Sequence, residues 1–110
     1  MMEIEEFYKL LHPKLTLLIV TKNRKVNVMT CAWATPLSEE PPLIGVAIGK
    51  TSLTHQQVLE TKEFTINIPT KNMLEKVWKA GTTTGKRRDK VKLLGLKLAP
   101  SKKVKPPIIE

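Results

Sequence analysis

The sequence predicts a single, mainly antiparallel β domain carrying short helices. Three observations lead there. The 110 residues suffice for one domain and contain no repeat or internal linker. Apolar runs of strand length recur between turn residues, while the segments with helical spacing are brief. A hydrophobic fraction of 41% and a charged fraction of 26% are those of an ordinary globular chain and exclude disorder.

Residues 3–11 place Ile4, Phe7, Tyr8 and Leu11 at helical spacing, with acidic residues in the first turn where the helix dipole favours them. His12-Pro13 ends that helix, since the residue before proline avoids helical backbone. Lys14 to Thr21 is a β run apolar on both faces. Asn23-Arg24-Lys25 is a turn without glycine and leads to a second strand, Val26 to Ala34. Pro36, Ser38 and Pro41-Pro42 mark a loop, and Leu43 to Lys50 is a third strand.

A short helix opens at Thr51–Thr54, with Thr54 and Gln57 at capping-box spacing. Glu63 to Ile68 alternates, turning Phe64, Ile66 and Ile68 inward, and Pro69 ends it. Asn72 with Glu75 starts another helix, whose apolar stripe pairs Leu74 with Trp78 and Met73 with Val77. Gly81 to Gly85 reads as a loop. Arg87 to Leu94 is a short helix closed by Gly95, and Leu96 to Ala99 begins another strand.

Charge is unevenly placed. Residues 1–70 carry seven basic and seven acidic side chains; residues 71–110 carry twelve basic and three acidic, so the whole net charge of +9 lies there. Such a block attracts phosphate-bearing partners, serves as a solvated face, or balances an acidic piece elsewhere. A nucleic-acid module built on residues 71–110 is disfavoured, because Trp78 is their only aromatic side chain and single-strand binders need stacking platforms.

Several chemistries are excluded. One cysteine rules out a disulfide framework and a multi-cysteine zinc site, and two histidines without acidic partners at ligand spacing give no metal site. No apolar run reaches the length of a membrane span. The acidic start is not a targeting leader, which makes the cytoplasm the expected compartment. No nucleophile, general base or carboxylate pair stands out, so no residue is assigned a catalytic role. A cofactor would have to carry any redox chemistry.

Three segments are candidates for binding. The second strand shows Val26, Val28, Thr30, Ala32 and Ala34 on one face; the third shows Leu43, Gly45, Ala47 and Gly49. Small side chains there admit either a flat ligand or close packing. Lys50-Thr51-Ser52-Leu53-Thr54 sets hydroxyls and an ammonium at a helix start, which suits a phosphate or simple capping. Gly81-Thr82-Thr83-Thr84-Gly85-Lys86 departs from a P-loop in spacing and in the residue after lysine. It reads as an exposed turn or a contact for a phosphate or ribityl chain.

The run from Asn27 through Thr30, Trp33, Pro36 and Ser38 to Pro41-Pro42 resembles a signature of the flavin reductase-like, FMN-binding split-barrel family. Lys50-Thr51-Ser52 with Thr54, then Glu63-Phe64 to Asn67 and Pro69, is similar to its next block. Ala80-Gly81 to Gly85, Arg88-Asp89-Lys90 and Gly95-Leu96 are similar to the downstream loop and helix, and the flavoredoxin-like subgroup is the nearest. The resemblance implies an antiparallel, Greek-key-like split β-barrel with short peripheral helices. It also implies a homodimer, FMN as cofactor and NAD(P)H as transient electron donor. Asn27, Thr30, Cys31, Ala32, Trp33 and Ala34 would bed the isoalloxazine. Lys50, Thr51, Ser52 and Thr54 would form the phosphate site, and Thr82, Thr83 and Thr84 would close over the flavin. The implied activity is hydride transfer between NAD(P)H and flavin, with a non-catalytic flavin-fold subunit as the alternative. On this resemblance residues 1–110 are the N-terminal portion of a longer family domain, whose continuation is expected to close the barrel.

Overall fold

The computed structural model describes residues 4–11 and 13–110, so the helix-end role expected of His12 lies outside the described residues. A 3-10 helix, Ile4–Leu11, leads to the hairpin of β1 (Leu17–Asn23) and β2 (Lys25–Cys31). Then come β3 (Ala34–Ser38), β4 (Leu43–Val46), α1 (Leu53–Thr61) and β5 (Thr65–Asn67). The chain continues through α2 (Leu74–Thr82), α3 (Lys90–Leu94), β6 (Leu98–Ala99) and β7 (Ile108–Ile109). The strands form three antiparallel sheets: β2-β1-β5, β3-β4 and β6-β7. No helix among the described residues is long and apolar enough to cross a membrane.

β1 is the centre. Its five residues Leu17 to Thr21 are all buried, as its unbroken apolar run requires. On one face Leu18 and Val20 pack with Val28 of β2, Ala80 of α2 and Leu94 of α3. On the other, Leu17 and Ile19 pack with Cys31, flanked by Met29, Ala34, Val46, Phe64 and Ile66. The hairpin turns on one residue, Arg24, which takes the left-handed conformation (φ 70°) between the paired Asn23 and Lys25.

Several sequence expectations need correction: the third strand, β4, ends at Val46 rather than Lys50, and Ile68, expected inward, is exposed because β5 ends at Asn67. The second strand does not run to Ala34. β2 stops at Cys31, and Ala34–Ser38 is a strand of its own where a loop was expected. Pro36 is tolerated because β3 pairs only with β4, leaving a free edge that needs no N–H donor, and the register shifts beside it. The cap of α1 is Ser52 rather than Thr54, its side chain accepting from His55 N at 3.1 Å. The expected loop at Gly81 starts later, since α2 runs through Thr82. α3 starts at Lys90, not Arg87, with Asp89 as its cap; Gly95 ends it in the left-handed conformation, as expected.

At two of the small-residue positions of the second and third strands, Thr30 and Gly45, the structure shows close packing. Thr30 donates to Val77 O at 2.6 Å beneath α2, and a Cβ added to Gly81 would lie 3.3 Å from the Thr30 Cβ. A Cβ on Gly45 would meet the Leu37 side chain at 3.0 Å.

Burial predicts the energetic ranking. Ile19→Ala should lower the unfolding free energy by about 2–5 kcal/mol, whereas Leu59→Ala, on the exposed side of α1, should change it by less than about 0.5 kcal/mol. Urea unfolding midpoints at unchanged m-value check this, and comparable losses would show that β1 is not the central support.

Candidate functional site

A cavity of about 380 Å³ opens where the start of α1, the end of α2 and the following loop meet β2. That volume is ordinary for a small-molecule site. Asn27, Met29 and Thr30 of β2 form its floor. Thr51, Ser52, Leu53 and Thr54 form one wall; Ala80 through Gly85, with Lys90 of α3, form the other.

The floor is held by a buried polar chain. Asn27, only 2% exposed, donates through Nδ2 to Thr54 Oγ1 at 2.9 Å, and Thr54 is equally buried. Next to it Thr21 Oγ1 donates to Gln57 Oε1 at 2.5 Å, and Gln57 Nε2 donates to Lys25 O at 3.0 Å. These contacts dock α1 onto the hairpin. Asn27 Oδ1, however, is buried without a hydrogen-bond partner among the described residues. Such an orphan acceptor is costly, and it is packed against Gly85 rather than open to the cavity. Gly85 explains how the loop comes so close: a Cβ there would lie 2.0 Å from Asn27 Oδ1.

Lysines hold the opposite wall. Lys25 Nζ donates to Gly85 O at 2.5 Å. Lys90, 6% exposed, donates to Val28 O at 2.8 Å and to Ala80 O at 2.9 Å, tying the carboxyl end of α2 to β2. Burial, and secondarily the charge of Lys25, lowers its pKa to about 8. Among the described residues no acidic side chain lines the cavity.

The structure brings together Asn27, Thr30, Thr51, Ser52, Thr54, Thr82, Thr83 and Thr84 from the expected set. Thr82 is spent on its own helix, donating to Trp78 O at 2.9 Å. Five others lie elsewhere. Cys31 and Ala34 belong to the second core cluster, and burial pushes the Cys31 thiol up, against smaller pulls from the Trp33 backbone and the charge of Lys14. Ala32 and Trp33 line a narrow crevice with Phe7, Tyr8, Leu11 and Lys14; the Trp33 ring is 5.4 Å from that of Tyr8. Lys50 is exposed, one residue short of the cavity wall. Lys90 was not among the expected residues, and Gly85 entered only as part of the Gly81–Lys86 loop. For Lys90 a signal existed: it stands at i, i+4 from Leu94, on the stripe of α3 that is buried. Among the described residues no group of three or more His, Cys, Asp or Glu side chains could hold a metal.

Three comparisons follow this geometry. The family model described as flavin reductase like domain matches residues 11–110. An uncharacterized protein of Archaeoglobus fulgidus is 45% identical over 108 residues, covering 98% of this chain and 61% of that relative. Flavoredoxin of Desulfovibrio vulgaris (Miyazaki F) superimposes with a TM-score of 0.85 at 32% identity, over 89% of this chain and 55% of that one. An FMN-binding domain of a flavin reductase-like enzyme from Shewanella baltica, at 24% identity and a TM-score of 0.83, shares the fold over 98% of this chain and 58% of its own. The chain thus spans little more than half the length of these proteins. Flavoredoxin and the Shewanella domain give the antiparallel arrangement its class, the split-barrel flavin reductase-like fold.

Space around two glycines gives a test of the floor. Gly85→Ala should force Asn27 or the loop to move and cost about 1–3 kcal/mol. Gly49→Ala, with nothing within 4 Å of the new Cβ, should be near neutral. Equal unfolding midpoints for the two variants would contradict the close approach of Gly85 to Asn27.

Proposed function

The chain belongs to the flavin reductase-like domain family, and from that premise we propose that its cavity binds FMN and serves electron transfer from NAD(P)H. The observation that carries the reading is the hydroxyl-rich cavity at the start of α1, lined by Thr51, Ser52, Thr54, Thr83 and Thr84 and, among the described residues, by no acidic side chain. That donor set fits FMN. Thr83 and Thr84 offer hydroxyls of the kind that pair with a ribityl chain. The free N–H groups at the start of α1, with Thr51 and Ser52, suit a phosphate. Bound FMN would supply the two-electron chemistry that no side chain here provides. The residues' part is to hold the cofactor, orient it and keep uncompensated negative charge away from it.

The absence of an acid–base pair is in keeping with this reading, because hydride transfer between a nicotinamide and a flavin asks the protein for position rather than proton transfer. Homodimerisation and a cytoplasmic setting belong to the same proposal. Exposed Leu15, Ile68, Leu74 and Trp78 offer apolar surface that a second copy would cover.

FMN titration tests the reading. Asn27→Ala should weaken FMN by about 1–2 kcal/mol, roughly 5- to 30-fold. Ser52→Ala should weaken FMN more than riboflavin, which lacks the phosphate. Failure of the wild-type chain to bind FMN would end the proposal. Binding without NAD(P)H oxidation would leave a flavin carrier and remove the reductase.

A further inference from the structure

The turn between α2 and α3, residues 83–88, forms part of the cavity wall through Thr83, Thr84 and Gly85. Its internal hydrogen bonds all end on Thr84. Lys86 N donates to Thr84 Oγ1 at 3.3 Å, and Arg87 N and Arg88 N donate to Thr84 O at 3.3 and 3.2 Å. These bonds shape the turn without fixing it to the rest of the fold. Among the described residues, one side chain from another element reaches it with hydrogen bonds. Lys25 Nζ, at the tip of the β1–β2 hairpin, donates to Gly85 O at 2.5 Å and lies 3.5 Å from Arg88 O. Lys25 is exposed and does not line the cavity.

Two effects oppose this position of the turn. Lys86, Arg87 and Arg88 are consecutive exposed cations, and Lys25 and Lys90 add two more beside them. The one ion pair among the described residues is Lys9 with Glu6, so none of the five is neutralised by a carboxylate there. Like charges so placed repel. The closed turn also sets Gly85 against Asn27, whose Oδ1 is left without a hydrogen-bond partner. Lifting the turn would let water reach that oxygen. On the other side stands the bond from an ammonium to Gly85 O, one of the stronger kinds of hydrogen bond. Its worth is of the same order as the cost of an orphan acceptor, so its presence decides where the turn rests.

We infer that Lys25 is a latch: its bond to Gly85 O holds the 83–88 turn against the cavity and slows the escape of the molecule bound there. Lys25 is then a positioning residue, acting through Gly85 and Thr84 rather than on the ligand. The identity of that ligand rests on the flavin reading; the hold on the turn does not. A latch differs from an attractive charge in its effect. A charge acts on the phosphate of FMN and leaves neutral riboflavin alone, whereas a latch slows the exit of both. It differs equally from a support of the whole fold, because a turn tied by one side chain opens locally while the core stays closed.

The test compares the 110-residue chain with Lys25→Met, which keeps a long stem and removes the donor, and with Lys25→Arg, which keeps charge and donors. Limited trypsin digestion reads the turn directly, since Lys86, Arg87 and Arg88 are its cleavage sites. Cleavage there should be about tenfold faster in Lys25→Met, the scale of one charge-assisted hydrogen bond. It should return close to the wild-type rate in Lys25→Arg, and the urea midpoint should stay the same in all three. Stopped-flow flavin fluorescence should show FMN and riboflavin both leaving Lys25→Met about tenfold faster, with association little changed and Lys25→Arg restoring the slow exit. Unchanged cleavage in Lys25→Met overturns the latch. Faster exit of FMN alone also overturns it and makes Lys25 an attractive charge. A lowered urea midpoint, or a variant that does not fold, makes Lys25 a support of the whole fold and overturns it too. If the wild-type chain binds neither flavin, the flavin reading fails, and the cleavage rates still decide on the hold over the turn.

Discussion

The structure depends on covering both faces of one strand. Ile19 and Val20 are adjacent in β1 and both have no exposure, so apolar cover must come from two directions at once. On the Val20 side that cover is α2 and α3, brought back by the second half of the chain. On the Ile19 side it is Cys31 with Phe64, Ile66 and the β3–β4 ribbon. The polar end of the same strand, Thr21, cannot be covered by apolar groups without cost. It is met instead by Gln57 of α1 through a hydrogen bond.

The cavity is a consequence of that arrangement. α1 lies over the Thr21–Asn27 end of one face of the hairpin, and α2 and α3 lie on the other. β2 is an edge strand with β1 as its only partner in the sheet, so the two coverings meet around it rather than merging. Residues from both of its faces, Asn27 and Thr30, consequently line one space. The same geometry explains the unusual donors. A carbonyl of an edge strand and the last carbonyls of a helix need partners, and Lys90 supplies both at once. A hydroxyl would be too short to join two elements in this way; a four-carbon stem with an ammonium spans them.

How much of this was legible depends on whether a residue's role is local. The hairpin around Arg24, the helix closed by Gly95 and the inward Phe64 and Ile66 follow from chemistry within a few residues, and all can be read along the chain. The cap of α1 was misplaced by two residues for a long-range reason: Thr54 has the right spacing to Gln57, but its hydroxyl is taken by Asn27 on another element, leaving Ser52 to cap. The strand break after Cys31 was hidden because Ala32, Trp33 and Ala34 continue the β-compatible pattern, and only the pairing of Ala34 with Val46 separates them into a new sheet. The orphan Asn27 Oδ1 has no sequence signal at all, since it exists only through the approach of Gly85, far along the chain.

Charge completes the argument at a different range. The basic excess of residues 71–110 is mostly exposed lysine, and exposed charges act through the summed field rather than by fixing a ligand. A field of that sign raises the encounter rate of an anion and weakens with salt. It does not choose among anions. Choice needs a desolvated group, because only there is the interaction strong enough to distinguish one ligand atom from another. Lys90 is the basic side chain of this segment that combines burial with a place on the cavity wall. The exposed lysines of the same segment set the field around that wall, which itself carries one ammonium and a set of hydroxyls. This division also accounts for the balanced charge of the first seventy residues. They supply the floor and the helix start, where hydroxyls and backbone N–H groups contribute dipoles.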